Sequence, residues 1–345
     1  MQRSYAKSPN SALARELIEE LQALFVGKLD ALSSKHGESE KLQRVEWLRD
    51  EGRHGGGNRY VAVENSLFNR AAVNVSGIHY DDEKTRKLAS ADALSTIIHP
   101  CNPRAPSVHM HFSWTEMRDG AGYFRLMADL NPCIEEAQAT FAFEDALRKA
   151  APEHYGSAAK QGDRYFAIPA LDRHRGVTHF YLEGFSTGNF ERDAALTRTV
   201  GEAAINSYIE ILGQALDKHQ EVSDADKQTQ LAYHTAYLFQ VLTLDRGTTS
   251  GLLVHTQNDQ GIMGSLPAYV DARLLNSWAE KVEAPQNELV RSLARVLGLE
   301  TRSHVTAERR LELAEVVRAH YKKYPDALDL QAKGNIVPPT VANHL

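Results

Sequence analysis

The apolar positions of this chain change period several times, and each change marks an element. Leu13, Leu17, Leu21, Leu24 and Phe25 recur every three or four residues. That stripe predicts an amphipathic helix, capped at Ser11 and ending in the polar break Ser33–Gly37. The spacing then falls to two. RHGGGNRYVAVE (53–64) predicts a strand entered through three glycines, and RAAVNVSGIHY (70–80) places Val73 and Val75 on one face, Asn74 and Ser76 on the other. An apolar segment around Leu94, Ile97 and Ile98 leads into HPCNPRAPSVHMH (99–111), where three prolines stiffen a connection between two strands. A turn near Asp119–Gly122 predicts a hairpin into Tyr123–Leu130.

Later elements alternate between the two periods. Residues 134–150 read as a helix ended by Pro152, and 165–171 and 176–185 as strands. A long helix is expected from Asp193 to His219, with Leu196, Val200, Ala204 and Ile211 on its stripe, followed by a strand from Tyr237 to Leu244. After GIMGSLPAYV (261–270) the chain reads as helical, including Ala307–Tyr324, and the two-proline tail from Asn335 reads as a mobile stretch or an interaction arm. Several nearby strands with short connections predict a mainly antiparallel sheet, hence an α+β fold.

Composition narrows the function classes. The 345 residues suit one large domain or two modest ones, and a net charge of −6 offers no general attraction to nucleic acid or anionic lipid. The two cysteines, Cys101 and Cys133, lack zinc-ligand spacing and are expected as free thiols. No apolar run reaches bilayer-spanning length and the amino terminus is no secretory signal, so a cytoplasmic protein without membrane insertion is expected.

The candidate chemistry starts with histidine. His109 and His111 share one face of their strand while Val108, Met110 and Phe112 take the other. Two imidazoles beside a rigid loop suit a site, although the polar face of a strand is also an ordinary place for solvated histidine. The triple glycine lets backbone approach a ligand or makes a flexible surface turn. It is no phosphate loop, because no Lys-Ser/Thr follows. With a carboxylate such as Asp129, the His-x-His pair would also serve as a two-His–one-carboxylate iron site.

Ordered pieces then carry a resemblance: GGGNR (55–59), LFNRAAVNVSGIHY (67–80), HPCNPRAPSVH (99–109), ADLNP (128–132), Arg175-Gly176, LDRGTTSGL (244–252) and MGSLPAYV (263–270). Together they resemble oxygen-dependent coproporphyrinogen III oxidases over roughly residues 45–270. The resemblance implies a large antiparallel sheet with helices on both faces, a homodimer, and a single domain over 1–300 followed by a helical extension and tail over 301–345. It also implies oxidative decarboxylation of tetrapyrrole propionates to vinyl groups, with O2 as co-substrate and no metal or organic cofactor. By the same resemblance Asp129 is the base facing the ring, Asp245 with Arg246 an acid–base and anion-binding pair, and His109 the active-site histidine. Ser95, Asn74, His99, His111, Arg125 and Arg175 are candidate substrate contacts. Each has a plainer reading: Asp245-Arg246 as a turn with an ion pair, Asp129 as a cap, His99 as a hydrogen-bonded structural group.

Departures from the family pattern concern the substrate. A triple glycine expected before the aspartate is replaced by Arg125-Leu126-Met127, where Leu126 and Met127 are expected to fill room against the ring. An expected arginine is Ser113, two expected histidines fall near Thr140 and at Ala170, and an acidic pair is reduced to Glu183-Gly184. A Gly-Gly-Arg is replaced around His255–Asn258. Fewer cationic forks would suit a smaller or less anionic electron-rich ring, a pyrrole or indole; a non-catalytic tetrapyrrole-binding or assembly protein is a separate alternative.

Overall fold

A computed structural model describes residues 2–62 and 65–344. Its centre is a seven-stranded sheet whose spatial order follows the chain except at one edge. The strands are β1 (Gln43–Leu48), β2 (Gly55–Val61), β3 (Phe68–His79), β4 (Leu88–Pro100), β5 (Ser107–Met117) and β6 (Gly122–Asn131). A two-residue ladder, β7 (Ala167–Ile168) with β8 (Arg173–His174), precedes β9 (Thr178–Phe185), which completes the sheet beside β6. Every pairing is antiparallel.

Alternation along these strands sorts the two faces. Val73, Val75, Leu94, Val108, Met110, Phe112, Leu126 and Phe180 pack beneath α1 (Pro9–Lys35), α2 (Ala137–Ala150) and α4 (Phe190–Lys218), with α3 (Tyr155–Tyr165) against β9. Fully buried side chains of this size each contribute about 1.5–3 kcal/mol over exposure. Over the opposite face lies a second helical layer: α5 (Asp224–Thr243), α6 (Arg246–Val254), α7 (Asp259–Ile262), α8 (Ala272–Ser277), α9 (Gln286–Val296) and α10 (Ala307–Lys323). Its core meets the sheet at Ala72 and Ile97. A short ladder, β10 (Tyr269–Val270) with β11 (Ser303–His304), ties the chain after residue 300 into this layer.

Four local expectations change. The cap of α1 is Ser8, whose Oγ accepts from Ser11 N at 3.4 Å, because Pro9 already stands in the first turn; Ser11 is buried inside the helix. Tyr237–Leu244 is the end of α5, not a strand. That run is buried on all sides, so it carries no polar stripe to reveal the helical period. Residues 165–171 supply only β7, since Pro169 opens a short 3-10 turn. The triple glycine lies within the sheet: a Cβ on Gly57 would come within 2.1 Å of Val75 O, so close strand approach, not a ligand, demands it. The strand expected over 53–64 extends past the described residues at 63 and 64.

Asp92 on β4 is buried beneath α1 and has its carboxyl pushed up to about 7 by burial, with Arg15, Glu19, Arg3 and Glu116 acting from nearby. An acid whose folded pKa is raised contributes stability that is present at low pH and lost as pH rises toward 7. Asp92→Asn should remove that decline. Thermal melts at pH 5 and pH 8 check it, and a variant with the wild-type loss between them would refute the assignment.

Candidate active site

Side chains from three register rows of the sheet form the floor of one cavity of about 260 Å³. Ile97, His109 and Asp129 align across β4, β5 and β6, and Asn74, Ser95, His111 and Met127 align one step further along. Ser76, Ala93, Ser113 and Arg125 form the third row. The roof comes from Tyr237 and Val241 of α5, from Asp245 and Gly247 at the start of α6, and from His255 and Asn258. Asn74 Oδ1 and Tyr237 Oη are buried and lack a hydrogen-bond partner among the described residues, so the walls carry unused polar capacity.

At one end His109 Nδ1 lies 2.7 Å from Asp129 Oδ1, and Arg175 Nη2 donates to both Asp129 oxygens at 3.2 Å. Asn131 Nδ2 donates to Asp129 Oδ2 at 2.6 Å, and Gln240 Oε1 accepts from Arg175 Nη1 at 2.8 Å. The Arg175 guanidinium packs against the Phe166 and Tyr237 rings, 4.2 and 5.0 Å from their centroids. Gly176 follows with φ +79°, and a Cβ there would sit 2.8 Å from Leu130 O, which is why glycine succeeds this arginine. Burial pushes the Asp129 carboxyl up, but Arg175 and His109 outweigh it and hold the group at about 2.

This geometry corrects the expected role of Asp129. It is fully buried behind His109 and does not line the cavity, whereas His109 does. The imidazole faces the ligand space and the carboxylate orients it. His111 also lines the cavity, 3.2 Å from Ser113 Oγ through Nε2, and burial followed by Arg125 and His109 keeps it well below its ordinary pKa, hence neutral.

The remaining expected residues divide. Asn74, Ser95, Arg125, Arg175 and Asp245 line the cavity. Arg125 Nε is ion-paired to Glu183 at 2.6 Å, and the Tyr181 hydroxyl also donates to Glu183. Asp245 caps α6, its Oδ1 accepting from Thr248 N at 2.7 Å. Arg246 parts from it: its Nη2 donates to Leu328 O at 3.0 Å and it is absent from the cavity lining. The proposed Asp245–Arg246 pair is therefore split, because successive residues at a helix start diverge in direction.

His99 is buried away from the cavity, bonded to Ser107 Oγ at 2.8 Å and Ser265 O at 3.2 Å, beside His234 and Tyr237. That is a structural histidine. Leu126 points into the opposite core, so Met127 alone of that pair meets the ligand space.

The iron trio is not assembled. Among the described residues the grouping close enough to share an ion is His54, Asp82 and Glu83, and those two carboxylates pair with Arg53 and Arg86. Sequence reasoning also missed Arg49, Tyr237, Gln240 and His344. Gln240 had a signal, a lone amide in an apolar run; the others had none. The tail from residue 331 passes Leu244 and Arg164 and ends in α11 (Thr340–His344), where Tyr80 Oη lies 3.1 Å from His344 Nδ1 and Thr340, Asn343 and His344 complete the cavity wall.

A buried acid–imidazole–guanidinium cluster at the end of a sheet-floored cavity defines a small-molecule site with the means to hold anions and move a proton. Comparison with known proteins gives the family. The family model described as coproporphyrinogen III oxidase matches residues 14–296, and the chain belongs to that family. The chain is 29% identical over 244 residues to the oxygen-dependent coproporphyrinogen-III oxidase of Rickettsia bellii, spanning 67% of this chain and 85% of that protein. The Drosophila melanogaster protein of that name is 28% identical over 280 residues, 73% of this chain and 69% of the relative. The mitochondrial rat oxygen-dependent coproporphyrinogen-III oxidase is 26% identical over 276 residues, and the match spans 60% of its length. No helix among the described residues is long and apolar enough to cross a membrane.

Proposed function

We propose that this chain is an O2-dependent oxidase that converts propionate side chains of coproporphyrinogen III, or a closely related ring, to vinyl groups without a metal or organic cofactor. The observation that carries this is the His109–Asp129–Arg175 cluster at the cavity end, on the positions that match the family pattern. Each turnover takes one propionate, one O2 and one proton to one vinyl group, CO2 and H2O2. The two electrons leave the propionate as its carboxylate departs, and O2 receives them.

The protein's part is positioning and proton handling. With Nδ1–H donating to Asp129, His109 presents the Nε2 lone pair, a base suited to a pyrrole N–H. Asp129 fixes that tautomer, and Arg175 holds Asp129 ionised. His111 is a neutral polar contact on the floor. Arg125 stands cross-strand from Ser113, but its charge is matched by Glu183, so it does not by itself replace the guanidinium absent from β5. One observation favours a smaller pyrrole or indole: Met127 occupies floor that glycine would leave open.

The deciding experiment loads metal-stripped protein anaerobically with coproporphyrinogen III, admits O2, and follows vinyl product by mass spectrometry. Product supports the reading. No product with the fold intact moves the search to smaller rings, and porphyrinogen binding without O2 uptake on any ring would make the chain a binding protein. The homodimer belongs to the same proposal, and light scattering that shows a monomer would remove it.

A further inference from the structure

The cavity's charges do not balance evenly along its length. Arg175 is matched by Asp129, and Arg125 by Glu183. Arg49, at the far end near the tail, is buried and lines the same cavity, yet no carboxylate among the described residues lies within ion-pair distance of it. Its neighbour Asp50 is engaged elsewhere, with His54 Nδ1 at 2.6 Å and Gln257 Nε2 at 2.8 Å. Among the described residues the Arg49 side chain makes one hydrogen bond, from Nη1 to His255 Nδ1 at 2.7 Å, a neutral acceptor, and its Nε makes none.

A buried guanidinium without a directly paired carboxylate is costly, and burial draws Arg49 down to about 10, opposed only from a distance by Tyr80 and Asp50. Its fork is nonetheless held in place: the guanidinium packs over the Trp47 ring at 5.2 Å, and His255 anchors one nitrogen. His255 in turn stacks edge-on to His344 at 4.8 Å, so the polar cluster continues into the tail. A pre-positioned cation that lacks an internal counter-charge suits an anionic ligand group that supplies one.

We propose that Arg49 is the carboxylate-binding residue at the outer end of the cavity, receiving a substrate carboxylate remote from His109, with His255 holding the guanidinium in register. The inference rests on the proposed function only for the identity of the ring. With Ser113 in place of the family's arginine, Arg175 paired to Asp129 and Arg125 paired to Glu183, Arg49 is the lining arginine left without a directly paired carboxylate among the described residues.

The test measures equilibrium binding to the full chain and to Arg49→Gln and Arg49→Lys. The probes are coproporphyrin III, its tetramethyl ester, and 3-(indol-3-yl)propionate. Arg49→Gln should weaken carboxylate ligands about tenfold or more, the scale of one charge-assisted hydrogen bond, and leave the ester unchanged. Arg49→Lys, which keeps the charge and loses the fork, should fall between; thermal melts confirm folding of both variants. Equal binding of the acids by wild type and Arg49→Gln overturns the proposal while leaving the proposed reaction standing. Arg49-dependent binding of the indole acid without binding of coproporphyrin III supports the anion site and removes the tetrapyrrole reading. Binding of neither acid by wild type overturns both.

Discussion

Asp129→Asn should lower kcat by several orders of magnitude, on the order of 10⁴ where a carboxylate fixes the tautomer of a catalytic imidazole. The substitution is nearly isosteric, so the cavity keeps its shape, although it leaves the buried Arg175 without its carboxylate and lowers stability as well. Its chemistry inverts, however. An amide nitrogen turned toward His109 would donate to Nδ1, drive the proton to Nε2, and leave no lone pair facing the ring. KM should move little, because Asp129 does not line the cavity. Single-turnover measurements after O2 admission separate this from a binding defect. A kcat within tenfold of wild type would show that the imidazole needs no partner and would remove Asp129 from the mechanism.

Removing the cation should instead be felt first in stability. Arg175 and Asp129 are both buried, and breaking such a pair from one side costs about 3–5 kcal/mol because the other charge is left uncompensated. Arg175→Met should therefore be strongly destabilised, and the double variant Asp129→Asn with Arg175→Met should recover part of the loss. The pH dependence carries a sign. In the wild type Asp129 is held at about 2, below its ordinary 3.8, so its contribution is present above that ordinary value and lost as pH falls through 2. In Arg175→Met the burial that pushes Asp129 up is unopposed by the guanidinium, and stability should fall as pH rises. Denaturant melts at pH 4 and pH 8 read this directly. A single variant as stable as the double at both pH values would show that the Asp129 carboxylate left behind carries no penalty.

Several features were legible before any coordinates. The strand alternation of 70–80 and 108–114 placed Asn74 opposite Val73 and His109 opposite Val108, and the three prolines marked the turn between β4 and β5, because side-chain direction along a strand follows from parity. The family motifs singled out Arg175 and Asp245, which line the cavity, and Asp129, which lies behind His109. They misjudged direction where local sequence is silent. Leu126 and Met127 are adjacent and both apolar, so nothing along the chain says which faces the ligand, and only strand phase sends Leu126 into the opposite core. Arg246 follows Asp245, yet the start of α6 turns one inward and the other toward residue 328.

What the sequence determined by itself is therefore the antiparallel α+β framework, the family, and the residues that share a strand face. Periodicity of two or near four records burial on one side, and that record is local. Burial on all sides erased it in α5, where an apolar run concealed the helix that carries Gln240 and Tyr237 to Arg175. Tertiary structure alone decided that Asp129 lies behind His109, that Arg125 is neutralised by Glu183 on another strand, and that Arg49 meets the far end of the same cavity. Each is a relation between residues distant in the chain, set by packing and by the electrostatics of groups removed from water together.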